Sequence, residues 1–145
     1  MNRPTLQMRK SAERLITFET RAKRSSGTRI PAAFYVCEKL RPHLATLMGG
    51  TGFHALLSRA LAVANTDDPW LRGVRVKADG SLGGLDGSDA PTDPAAMAEG
   101  SIVLVSQLLA LLAAFIGENL TLQLVRDTWP ELRLADLESS KENTK

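Results

Sequence analysis

An all-α fold, a bundle of four to five helices carrying one small β-hairpin around residues 74–85, is what this sequence predicts. Three observations carry that expectation. Residues 102–116, IVLVSQLLALLAAFI, are apolar on two faces at helical spacing. Leu and Ala dominate while aromatic residues make up 5% of the chain, which favours helix over sheet. Gly, Pro and Asp punctuate the stretches between periodic segments, and the strongest hairpin signal in the chain is Asp79-Gly80.

The elements come in order. Residues 5–24 read as a helix with Met8, Ala12, Leu15 and Ala22 on one face. The β-branched content of residues 14–21 leaves a strand open as the alternative. Ser25-Ser26-Gly27 ends the element. Pro31 opens a second helix over residues 31–48, with Phe34, Cys37, Leu40, Leu44 and Leu47 spaced by threes and fours. Pro42 lies inside that pattern and lacks an N–H, so it is expected to kink or split the helix. Gly49-Gly50-Thr51-Gly52 is a stop, with Thr51 as cap of a third helix over residues 53–65. The pair then forms an antiparallel helical hairpin.

Asp67-Asp68-Pro69 opens a turn, and Trp70 is expected to plug a core edge. Val74 and Val76 alternate with Arg75 and Lys77 ahead of the Asp79-Gly80 turn. A two-stranded ribbon is marginal alone and must rest on helices. Residues 86–93 form an exposed loop, after which Asp93 caps and Pro94 begins the long apolar helix. Gly117 ends that helix, Asn119 caps a last one that stops before Pro130, and Leu120, Leu124 and Val125 are expected to face inward. The expected domain is residues 1–137, with a disordered tail at 138–145.

The two stripes of the long helix are Leu104, Leu108, Leu111 and Phe115, and Ile102, Val105, Leu109, Leu112 and Ile116. A helix apolar nearly all round must be covered on several sides. It is therefore the centre of a bundle or half of a subunit interface, and the stripe of Leu104, Leu108, Leu111 and Phe115 is the interface candidate. The 15 residues of this run span about 22 Å as a helix, short of the ~30 Å hydrocarbon core, so no membrane span is expected.

Net charge is +2 at neutral pH, but residues 1–29 carry +6 and the remainder −4. Arg9, Lys10, Arg14, Arg21, Lys23 and Arg24 are the candidate contacts to nucleic acid or another anion. Only Phe18 in that segment can stack a base. The single Cys37 excludes an intramolecular disulfide and argues for the reducing cytoplasm. No secretory apolar segment is present at the N-terminus.

Chemistry is thin. The two histidines, His43 and His54, and Cys37 have none of the spacings of a zinc site. MGGTGF at residues 48–53 lacks the Gly-Lys-Ser/Thr ending of a phosphate-binding loop. Asp79, Asp86, Asp89 and Asp93 do not match the calcium-loop spacing. No Ser-His-Asp arrangement can be nominated. No catalytic residue, metal or cofactor is expected. The stretches PAAFYVCEKLRPHLATLMGG and FIGENLTLQLVRDTWPEL resemble parts of compact bacterial-type domains, and no activity attaches to the resemblance. The function expected is a non-enzymatic cytoplasmic interaction or regulatory module, its partner another copy of itself or a companion protein. Nucleic-acid binding through the basic arm is the alternative, and a small-ligand sensor with a pocket beneath the hairpin and Trp70 is the third.

Overall fold

The structure is a computed structural model in which residues 6–22, 31–83 and 93–130 are described. The bundle expectation holds. Helices α1 (Leu6–Ala22), α2 (Ala32–Ala64), α3 (Pro94–Ile116) and α4 (Glu118–Thr128) surround one core, with an antiparallel pair of strands, β1 (Arg75–Val76) and β2 (Leu82–Gly83), at its side. Residues 14–21 are helical, so the strand alternative falls. The ending of α1 at Ser25-Ser26-Gly27, the loop before Asp93 and the tail at 138–145 lie outside the described residues.

α3 is the hub. It packs on α1, α2 and α4, and Leu104, Val105, Leu108, Leu109 and Leu112 are completely covered. Asp93 starts it by accepting the Ala95 N–H at 3.1 Å, with Pro94 in the first turn. At 23 residues it measures about 35 Å. It is long and apolar enough to cross a membrane by length and composition, because Pro94 to Ser101 extend the apolar run of residues 102–116 towards the N-terminus. In this fold 61% of its most apolar stretch is buried, and Phe115 near its C-terminal end is left exposed.

α2 corrects the expected break. The helix continues through Pro42, which is exposed, and departs from helical geometry at Gly49 (φ 81°, ψ 161°). Thr51 accordingly lies inside the second segment and does not cap it. The bend is substantial: a Cβ on Gly80 would touch Arg41 Cδ at 3.4 Å and Phe53 Cδ2 at 3.2 Å. A straight helix would hold the Cα atoms of those two residues about 18 Å apart.

The hairpin forms where Asp79-Gly80 placed it. Arg75 pairs with Gly83 and Val76 with Leu82. The Lys77 N–H donates to Ser81 O at 2.7 Å and the Gly80 N–H to Lys77 O at 2.9 Å. The connection is thus a three-residue loop with Gly80 at φ 89°, the arrangement of a turn followed by a left-handed residue. Trp70, in a short 3₁₀ turn at Pro69–Gly73, closes the core edge by lying on α3 at Gly100.

α4 corrects two further expectations. Its cap position is Gly117 (φ 96°, ψ 152°), and Asn119 is an exposed first-turn residue. The face turned inward is Thr121 (0% exposed), Val125 and, just past the helix, Trp129, whereas Leu120 is 43% exposed. Leu124 is half-buried. Thr121 can be buried because its hydroxyl donates back to the Gly117 carbonyl at 2.8 Å.

Candidate functional site

An open groove of about 420 Å³ lies between α2 and α4, lined by Pro42, His43, Thr46 and Leu47 from one helix and Leu120, Gln123, Leu124 and Asp127 from the other. The two helices run antiparallel here. Lys39, one turn before Pro42, lies over the Trp129 ring, which follows Asp127; Leu47 and Leu120 therefore mark the opposite end. Each of these leucines sits beside a glycine corner, Gly49 or Gly117. Both are markedly exposed, Leu47 at 51% and Leu120 at 43%. Thr46, Gln123, His43 and Asp127 supply a polar rim.

Apart from the groove, α1, α2 and the residue following α4 enclose a buried carboxylate. Glu19 of α1 is 0% exposed. Its Oε2 accepts from Lys39 Nζ at 2.5 Å and from Trp129 Nε1 at 2.8 Å. Its Oε1 is buried with no hydrogen-bond partner among the described residues. The Lys39 ammonium lies 5.6 Å from the Phe18 ring centroid and 5.9 Å from that of Trp129, within the range of cation–π attraction. The Lys39 side chain is itself 42% exposed, so the stem reaches in from solvent.

Sequence reasoning missed this cluster, although a signal was there. Met8, Ala12, Leu15 and Ala22 mark an apolar stripe spaced four, three and seven, and Glu19 fills the gap in it. An acid at a core position of a helix needs a partner. Trp129 carried no comparable local signal, since it lies past the end of a short helix and outside its apolar pattern.

The residues singled out from sequence fall in different places. Leu104, Leu108 and Leu111 are covered within the chain's own core, and Phe115, the last of that stripe, is 67% exposed at the C-terminal end of α3. Arg9 is tied to Glu99 at 3.0 Å and to Glu13 at 3.4 Å, and the Glu99 hydrogen bond leads in holding its pKa above the ordinary value. Lys10 and Arg21 are exposed on α1, Arg14 is half-buried, and Lys23 and Arg24 lie outside the described residues.

His43 is exposed on the groove and His54 is half-buried. No group of three metal-capable side chains occurs among the described residues. Cys37 is buried, and loss of water pushes its thiol up to about 12. Asp79 accepts from the Ser81 hydroxyl at 2.6 Å and the Ser81 N–H at 2.9 Å, which lowers its pKa and builds the turn. Asp93 is the cap of α3, and Asp86 and Asp89 lie outside the described residues. The space under the hairpin and Trp70 is met by rings: Phe53 stands against Gly80 and the Trp70 indole against Gly100.

No family model, no curated protein and no solved structure matches this chain.

Proposed function

We propose that the chain is a non-enzymatic cytoplasmic interaction module whose docking surface is the α2–α4 groove, and that the occupant is a short amphipathic helix of a companion protein. The observation that carries the reading is the pair Leu47 and Leu120, two large apolar side chains exposed on opposite walls of one groove. Helices recognised in grooves anchor through apolar side chains at intervals of three and four, with polar groups at the rim. Size selects the occupant. A stable interface between folded domains uses roughly 20–30 residues a side, whereas eight residues line this groove, enough for about two helical turns.

The test is affinity capture from native lysate, with nuclease-treated and untreated halves, using the wild type and the variants Leu47→Asp and Leu120→Asp. The expected result is a stoichiometric protein that survives nuclease and is lost with either variant. One of its helices, as a synthetic peptide, should then bind the wild type at one to one. A concentration-dependent dimer in light scattering that Leu47→Asp dissolves would overturn this in favour of a second copy. Partners that vanish with nuclease and depend on Lys10 and Arg21 would overturn it in favour of nucleic acid on α1.

A further inference from the structure

Glu19 is an acid placed where the helix pattern of α1 calls for an apolar residue, and it is fully buried. A buried carboxylate is tolerated only beside a cation and with its lone pairs occupied. The cation here does not come from the core. It is delivered by Lys39 from a half-exposed stem, through a gap walled by the Phe18 and Trp129 rings. A carboxylate floor with two aromatic walls is the environment that selects an ammonium group, because ring faces attract a cation and offer little to an anion or a neutral polar group. Occupation is incomplete: Oε2 takes two donors and Oε1 takes none among the described residues. A free primary ammonium carries three N–H donors and is not held at one angle by a stem.

We propose that Phe18, Glu19 and Trp129 form an ammonium-binding site that Lys39 fills as a tethered ligand, and that a free alkylammonium takes the same place when Lys39 is absent. The tether accounts for occupancy without added ligand, since linking a group to its site raises its effective concentration to the millimolar range or above. The site shares no residue with the groove, whose lining runs from Pro42 to Leu47 and from Leu120 to Asp127.

The experiment is chemical rescue of Lys39→Ala, a change that removes the ammonium and leaves space for its stem. The probe is n-propylammonium chloride, compared with potassium chloride at equal ionic strength and with n-propanol. The expected result is a melting temperature lowered in Lys39→Ala and raised again by several degrees, saturably, by propylammonium alone. Glu19→Gln/Lys39→Ala should show no such rise. If Lys39→Ala is unfolded at room temperature, the same titration is read as return of helical circular dichroism. Failure of propylammonium to restore either signal overturns the proposal, as does an equal effect of propanol or potassium chloride, or rescue that persists with Gln at position 19.

Discussion

Gly49 and Gly117 adopt the same backbone conformation, φ 81° with ψ 161° and φ 96° with ψ 152°. Each ends one helical segment and begins another without an intervening loop. L-residues with a Cβ scarcely enter this region, so the two corners on which Leu47 and Leu120 are mounted both depend on glycine. They set where α2 and α4 diverge, and hence where the groove opens.

Replacing either corner glycine by alanine isolates that dependence. A Cβ at Gly49 or Gly117 meets nothing within 4 Å, so any cost is conformational and not steric. Gly49→Ala and Gly117→Ala should each destabilise the fold by about 1–3 kcal/mol. Gly50→Ala is the internal control: its φ is not positive and its Cβ also meets nothing. It should be neutral or stabilising by up to about 1 kcal/mol through helix propensity. Urea melts of the three variants measure the difference, and equal effects at positions 49 and 50 would mean that the positive φ is not the source of the cost.

Gly100 poses the opposite case, in which the obstacle is steric. A Cβ there would lie 2.4 Å from Cζ2 of Trp70, so the indole must leave its place on α3. Gly100→Ala should cost about 1–3 kcal/mol from overpacking, with a shift in Trp70 emission. Trp70→Phe/Gly100→Ala should recover part of the loss. A Gly100→Ala protein as stable as the wild type would show that the ring moves freely.

Local signals in the sequence were readable and long-range ones were not. Asp93-Pro94, Asp79-Gly80 and Gly117 act within a few residues of themselves, and each does in the structure what its chemistry implies. Pro42 misled because a proline on the exposed side of a helix can be tolerated, while Gly49 bends the chain by adopting a φ closed to other residues. On α4 Val125 faces inward as expected, but Leu120 was placed where Thr121 belongs, because leucine outranks threonine on any apolarity scale. Thr121 escapes that ranking through its bond to the Gly117 carbonyl. The Glu19 cluster joins positions 19, 39 and 129, and the groove joins residues 42–47 to residues 120–127, coincidences that only helix packing creates.

The Glu19–Lys39 pair has an asymmetric energetic signature. Removing one partner leaves the other uncompensated, whereas replacing both with groups of similar shape removes the need for compensation. Lys39→Met should destabilise by about 1–3 kcal/mol, less than for a fully buried pair because the lysine is half-exposed. Glu19→Gln/Lys39→Met should recover most of that, since the glutamine carbonyl can still accept from Trp129. A double variant as unstable as the sum of its single changes would mean that the two side chains act separately.

Cys37 links stability to alkaline pH. Its thiol is pushed from an ordinary value of 9.0 to about 12 by burial, with Glu38 adding to the effect. In the unfolded chain the thiol ionises first, so between the two values the unfolded state binds fewer protons than the folded one. The contribution is therefore fully present below pH 9 and is lost as the pH rises toward 12, at roughly 1 kcal/mol per pH unit. Other groups titrate in that window, so the informative quantity is the difference from Cys37→Ala. Stability measured from pH 8 upward should fall more steeply in the wild type than in Cys37→Ala, the curves running parallel below pH 9. Thiol alkylation of the native protein at pH 8 should accordingly be slow and accelerate with denaturant, because the reactive thiolate is formed only when the core opens. Parallel curves throughout, or fast alkylation without denaturant, would place Cys37 in contact with water.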